Sequence, residues 1–146
     1  MEVTTPRTPD EFARYFELRW QVLRDPFGQP RGSERDELDA EGSGTEHAVI
    51  FTEAGEAVAA GRIQLNTPEE AQVRYMAVAE SQRGLGLGRL IVRRLEEIAR
   101  GRGATYAVLN ARDEAVGFYR SLGYEVVGVG PTIFGSVTHS RMQRAL

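Results

Sequence analysis

Three glycines at alternate positions limit the possible folds and ligands of this chain more than any other feature of its sequence does. Residues 83–88 read RGLGLG, after a strand-like run at 72–78 and before a helix-like run at 88–100. Glycine lets the backbone approach a ligand closely and turn its N–H groups inward, and the helix start adds unpaired donors and a positive dipole end. With Arg83 and Arg89 beside Gly84, Gly86 and Gly88, we predict a pyrophosphate site.

Two common nucleotide-binding motifs do not fit this loop. A P-loop ends in Gly-Lys-Ser/Thr, whereas here Gly88 is followed by Arg89 and Leu90. A dinucleotide fingerprint would need glycine at position 89 or 91, where Arg89 and Ile91 stand. It would also need an acidic residue after the next strand, which we expect to end at Asn110.

Hydrophobic periodicity and turn residues predict the order of the other elements. Helices are expected at 9–24, 88–100 and 114–122, and strands at 47–52, 57–66, 72–78, 106–110, 124–129 and 137–142. The apolar stripe of the helix at 88–100 is expected to consist of Leu87, Leu90, Ile91, Leu95 and Ile98. The polar segment 25–45 is expected to be a surface loop. Consecutive antiparallel strands followed by a strand–helix–strand crossover predict an α/β fold, a mixed sheet with helices on both faces, in a single domain over 1–146.

The loop in this context resembles the first signature of the GNAT superfamily of N-acetyltransferases. That signature is Gln or Arg, two residues, Gly, one residue, then Gly or Ala, and Arg83, Gly86 and Gly88 match it. The resemblance implies an acyltransferase with acetyl-CoA as cosubstrate and no metal. It also implies that backbone N–H groups of Met76, Ala77 or Val78 polarise the thioester carbonyl.

Residues 109–124, LNARDEAVGFYRSLGY, resemble the second GNAT signature. The resemblance implies that Asn110 bonds the pantetheine arm and that Tyr119, near the thioester sulfur, is the general acid. We assign Phe118 to the cofactor site as well. From helical spacing alone, Phe118 and Leu122 share one face and are expected in the core, with Tyr119 pointing elsewhere.

Several segments are similar to the glyphosate N-acetyltransferase branch, whose members act on compact anionic amines. LRWQVLRDP at 18–26, VRYMA at 73–77, NAR at 110–112 and the His139–Met142 pair carry the similarity. It implies that Arg24, Arg74 and Arg112 hold the acceptor's anionic groups, as guanidinium forks suit, and that His139 is the general base. Tyr75 stands where the branch has glycine, and Ser140 and Arg141 follow His139 where it has Ile-Leu.

Other readings of function stay open at this point. The acceptor could instead be a polyamine, an aminoglycoside or a protein N-terminus, and a non-catalytic acyl-CoA sensor is the alternative from another class. A cationic acceptor would need acidic residues at the site, but we interpret the acidic run at 34–41 as a solvated loop. It comprises Glu34, Asp36, Glu37, Asp39 and Glu41.

Charge and hydropathy limit the classes of partner and the cellular location that we expect. A formal net charge of -3 gives no reason to expect nucleic acid, and no apolar run has the length of a membrane span. The absence of cysteine removes thiolate chemistry and is compatible with a cytoplasmic location. The expected partner is a small-molecule amine, and the sequence leaves open whether the chain forms a homodimer.

Overall fold

A computed structural model describes residues 1–146 and contains three α-helices and six strands. The helices are α1 (Pro9–Leu23), α2 (Leu87–Gly101) and α3 (Val116–Ser121). The strands are β1 (Glu46–Phe51), β2 (Ala57–Leu65), β3 (Glu70–Val78), β4 (Tyr106–Arg112), β5 (Glu125–Val129) and β6 (His139–Ala145). None of the helices combines the length and the apolar character that crossing a bilayer requires.

The strands form one mixed sheet in the order β1-β2-β3-β4-β6-β5. Only β3 and β4 run parallel, and every other neighbouring pair is antiparallel. The sheet confirms the predicted α/β class, because the single parallel pair is the one joined through the α2 crossover.

Helices cover both faces of the sheet, as predicted. Along β1, Ala48 and Ile50 pack in the cluster that contains α2, whereas Val49 packs in the cluster that contains α1. Side chains that alternate along a strand point to opposite faces, so α1 and α2 lie on opposite sides.

The two long helices follow their sequence signals closely. Thr8 caps α1 through a capping box with Glu11, which accounts for the helix start at Pro9. In α2 the apolar stripe includes the buried Ile91 and Leu95, but Leu90, which we expected in it, is 43% exposed. Leu90 falls outside the arc that the other apolar residues share, so that part of the prediction is wrong.

The sheet opens between its two parallel strands. β3 pairs with β4 only over Glu70–Gln72 and Tyr106–Val108, although both strands continue beyond these residues. From there β3 stays paired with β2, and β4 with β6. The resulting gap connects the α2 face of the sheet with the α1 face.

The acidic run at 34–41 is not a solvated loop, contrary to our expectation. The side chain of Asp39 is 4% exposed and bonds Arg19 and Arg62, both at 3.0 Å. Asp36 accepts two further hydrogen bonds from Arg62, at 2.6 and 3.0 Å. Both arginines are completely buried, and a buried charge requires a partner. The run supplies those partners; Glu37 and Glu41 alone stay exposed.

Candidate active site

A cavity of about 880 Å³ occupies the gap between β3 and β4. Its wall continues onto the glycine loop, the end of α1 and the segment between β5 and β6. All but one of the residues singled out from the sequence line it: Arg24, Arg74, Met76, Ala77, Val78, Arg83, Gly84, Gly86, Gly88, Asn110, Arg112, Phe118, Tyr119 and His139. The exception is Arg89, which is exposed in the first turn of α2 and does not reach the cavity wall.

The glycine loop presents a row of free backbone donors. The N–H groups of residues 84–89 bond no acceptor in the chain, and the first intrahelical bond runs from Leu90 N–H to Gly86 O at 3.2 Å. Gly84 and Gly86 have φ values of 81° and 79°, a left-handed conformation that glycine adopts without strain. Six consecutive unpaired donors at a helix start suit an anion with several oxygens.

Gly88 and Phe118 are in close contact at the cavity wall. A Cβ at position 88 would lie 3.1 Å from Phe118 Cζ, so only glycine fits there without displacing the ring. Phe118 is 38% exposed, whereas Tyr119 and Leu122 are buried. The expectation of a core Phe118 is therefore wrong. Tyr119 and Leu122, three residues apart, also share a helix face, and this is the face that packs in the core.

On β3, the N–H of the candidate donor Val78 faces the opening. Ala79 N–H donates to Val58 O of β2 at 2.8 Å. Because N–H groups alternate sides along a strand, the donor of Val78 points away from β2. A carbonyl oxygen placed in the gap would meet this N–H.

Tyr119 combines a buried ring with a free hydroxyl. The ring is 7% exposed and packs edge-on against Tyr124, with centroids 6.0 Å apart. The hydroxyl has no hydrogen-bond partner in the chain and keeps some accessible surface, which opens to the cavity. Burial raises the pKa of Tyr119 well above its usual value, and the nearby Arg112 charge opposes this only in part. The hydroxyl therefore stays protonated at neutral pH.

His139 has one ring nitrogen fixed and the other available. Nδ1 lies 2.9 Å from Pro131 O and 3.1 Å from Val137 O. Both partners are acceptors, so Nδ1 carries the proton and donates it. In the neutral ring, Nε2 is then the unprotonated nitrogen. His139 pairs with Arg112 across β4 and β6, which places both residues on the same face.

The three predicted substrate-binding arginines line the cavity and retain unpaired donors. Arg24 donates Nε–H to Ser33 O and Nη1–H to Leu23 O, which leaves Nη2 free. Arg74 makes only a 3.5 Å contact with Asp36, and Arg112 only a 3.6 Å contact with Glu114. All three therefore keep N–H donors that a ligand in the cavity could use.

Sequence reasoning missed the aromatic pair at the acceptor side. Phe27 and Phe134 stack with centroids 5.5 Å apart, and their rings lie within 6 Å of the guanidinium carbons of Arg112 and Arg24 respectively. The two phenylalanines come from distant loops, and neither loop carries a periodic pattern. Only the length of the loops could have indicated a functional role.

The comparisons with known proteins agree with this geometry. The model of the Acetyltransferase (GNAT) family matches residues 12–124. The uncharacterized N-acetyltransferase YjcF of Bacillus subtilis (strain 168) is 28% identical over 144 residues, 99% of each chain. Glucosamine 6-phosphate N-acetyltransferase 1 of Oryza sativa subsp. japonica is 34% identical over 90 residues, 56% of this chain and 54% of that protein.

Solved structures share the fold as well. The crystal structure of an aminoglycoside 6'-N-acetyltransferase complexed with coenzyme A has a TM-score of 0.81, covering 99% of this chain and 97% of that one. Sequence identity with it is 17%, so this likeness concerns the fold alone.

Proposed function

The chain belongs to the acetyltransferase (GNAT) family, whose members use acetyl-CoA as cosubstrate, and we propose that its acceptor is a small amine with negative charge. The observation that carries the proposal is the set of three arginines, Arg24, Arg74 and Arg112, lining one cavity with His139 and Tyr119. The membership confirms the GNAT resemblance; the similarity to the glyphosate branch stays a prediction.

The coenzyme end of the cavity fits a pyrophosphate group. The free N–H groups of residues 84–89 and the side chain of Arg83 are the donors that would hold it. Asn110, on the wall of the gap, would bond the pantetheine amides, and Phe118 would contact the same arm. Acetyl-CoA, when bound, supplies an acetyl group activated as a thioester. The N–H of Val78 would polarise its carbonyl.

His139 is the proposed general base. Acetyl transfer to an ammonium group requires that the nitrogen first lose a proton. Nε2 of His139 can take that proton, because Nδ1 is already fixed as the donor to Pro131 and Val137. The fixed tautomer orients the ring without a carboxylate.

Tyr119 is the proposed general acid. The sulfur that leaves the acetyl group becomes a thiolate unless it gains a proton, and the Tyr119 hydroxyl is a free donor at the cavity. Its raised pKa keeps the proton in place until the sulfur develops charge. The nitrogen loses a second proton when the tetrahedral intermediate collapses, and this proton can restore the Tyr119 hydroxyl. The proton held by His139 is then released to solvent, which balances the reaction without a covalent enzyme intermediate.

The acceptor end favours an anion for electrostatic reasons. Guanidinium groups bind carboxylate or phosphate oxygens through parallel N–H donors, and the three arginines retain such donors. One relative of this chain is named for glucosamine 6-phosphate, a compact amine with a phosphate group. Aminoglycosides, for which a structural neighbour is named, carry several positive charges that these arginines would repel.

A thiol-release assay with matched acceptors tests the proposal. Each pair differs only by an anionic group: glucosamine 6-phosphate with glucosamine, and aminoethylphosphonate with ethylamine. We expect a higher kcat/KM for the anionic member, and little turnover of polyamines or aminoglycosides. Equal values within the pairs would contradict the anionic acceptor, and absence of release with every amine would favour a non-catalytic sensor.

Tyr119→Phe tests the acid directly. We expect the variant to bind acetyl-CoA with unchanged affinity in calorimetry, while kcat falls about 100-fold or more. Tyr106→Phe is the matched control, because Tyr106 bonds Glu70 and does not line the cavity. Full turnover by Tyr119→Phe would remove this residue as the acid.

A further inference from the structure

Tyr75 lies in a β-bulge that turns two consecutive side chains towards α1. The register between β2 and β3 passes from Ala60↔Ala77 to Arg62↔Arg74, so β3 has one extra residue. Tyr75 has a φ of 55°, which is unusual and costly for a residue with a large side chain. As a result Arg74 and Tyr75 share a face, where a regular strand would place them on opposite ones.

The ring of Tyr75 lies in contact with four guanidinium groups. The guanidinium carbons of Arg19, Arg62, Arg74 and Arg24 lie 4.3, 4.8, 5.0 and 5.7 Å from its centroid. Each distance is within the range in which an aromatic ring attracts a cation electrostatically.

The four arginines differ in what else balances their charge. Arg19 and Arg62 are buried and paired with Asp36 and Asp39, so they need no help from the ring. Arg24 has no carboxylate partner, and Arg74 has only the 3.5 Å contact with Asp36, which Arg62 holds more closely. The Tyr75 ring is therefore the one attractive group that the two cavity arginines share.

We propose that Tyr75 is a positioning residue for the acceptor's anion: its ring holds the guanidinium groups of Arg24 and Arg74 together at the cavity. A carboxylate in the same place would also gather two positive charges, but it would repel the anionic acceptor. An aromatic ring gathers them and leaves their net charge for the substrate. This inference rests on the proposed function, because it explains how the anionic acceptor is selected.

Three variants separate the ring from the backbone and from the hydroxyl. Tyr75→Leu keeps the bulk and the strained φ without the ring, and Tyr75→Gly removes the ring and relieves the strain. Tyr75→Phe keeps the ring and loses only the 3.4 Å contact of the hydroxyl with Asp36. For glucosamine 6-phosphate we expect KM to rise about tenfold in the Leu and Gly variants and to change less than about twofold in Tyr75→Phe.

The split between kinetic constants distinguishes positioning from a structural role. We expect kcat, and KM for unphosphorylated glucosamine, to change little in all three variants. The melting temperatures of Tyr75→Leu and Tyr75→Gly should shift differently, because only glycine relieves the strain, whereas their KM values should rise alike. A structural role would make KM follow the melting temperature, which would overturn the inference, as would equal KM rises for both amines.

The same assay separates this inference from the function beneath it. If the wild type does not prefer the phosphorylated amine, the anionic acceptor fails and the role of Tyr75 fails with it. If the wild type prefers that amine and Tyr75→Leu keeps the whole preference, the role of Tyr75 alone is overturned.

Discussion

The protein has two sets of arginines near the cavity, and the sets differ in how their charges are balanced. Arg19 and Arg62, between α1 and β2, have no exposed surface and are paired with Asp36 and Asp39. Arg24, Arg74 and Arg112 line the cavity with long or missing ion pairs. The Tyr75 ring lies within 6 Å of Arg19 and Arg62 of the first set and of Arg24 and Arg74 of the second.

The difference indicates which arginines hold the fold and which are available to a ligand. A buried ion pair leaves a costly unpaired charge when one partner is removed, whereas a half-exposed arginine loses little. Residue type alone does not separate the two sets, since all five are arginines. The separation comes from the acidic run at 34–41, which reaches the buried set with short contacts.

Arg62→Met should give the largest effect, on stability. It leaves Asp36 and Asp39 without their shared partner, and we expect the free energy of unfolding to fall by about 3–5 kcal/mol. The matched change Arg74→Met should cost less than about 1 kcal/mol, because the side chain is 41% exposed and weakly paired. Urea unfolding measures both, and equal losses would erase the distinction between the sets.

Arg112→Ala should give the next largest effect, on binding. Loss of a charge-assisted hydrogen bond should raise KM for an anionic amine by about 10- to 100-fold, and KM for its neutral counterpart far less. Arg141→Ala is the control. Arg141 lies on the same face of the sheet as Arg112, but it pairs with Glu70 and does not line the cavity. Similar KM changes for both amines would contradict an anion site at Arg112.

His47 should give the smallest effect per pH unit, in the pH dependence of stability. Burial, with the charge of Arg19, lowers the pKa of His47 from 6.5 to about 4. Between these values the unfolded chain binds a proton that the folded protein does not, so stability falls as pH falls from about 6.5 to 4. We expect a loss of roughly 1 kcal/mol per pH unit in urea unfolding.

One substitution checks the origin of that slope. His47→Gln should flatten the dependence between pH 6.5 and 4. The aspartates act in a separate window: the hydrogen bond from Arg62 lowers the pKa of Asp36, so its contribution is lost only below about pH 4. A slope that survives in His47→Gln would assign it to another group.

The sequence predicted the order of the elements because each carries a periodic or punctuating signal. The glycine loop and the capped α1 are found almost where expected, at Leu87 and Pro9. The sequence did not predict the burial of Arg19, which occupies an apolar position on its helix. Whether an arginine there is buried depends on whether a distant carboxylate reaches it, and Asp39 belongs to a segment without periodicity.

Two local details of the site also could not be predicted from the sequence. The bulge at Tyr75 inserts one residue into an otherwise regular strand pattern, at the register shift between Ala60 and Arg62 of β2. Helical spacing alone does not decide whether Leu122 shares the buried face with Phe118, four residues away, or with Tyr119, three residues away. Short elements take their orientation from tertiary contacts more than from their own periodicity.

The short parallel pairing of β3 with β4 limits how strongly the two halves of the sheet are connected. The ladder between the two halves of the sheet has only three register pairs, Glu70–Gln72 with Tyr106–Val108, and the N–H groups of Thr105 and Tyr106 extend it by donating to Glu69 O. A ligand that contacts both walls of the gap adds a second connection between the halves and binds the folded state alone. Coenzyme binding should therefore slow amide hydrogen exchange in β4 and β6, including residues that the ligand never touches.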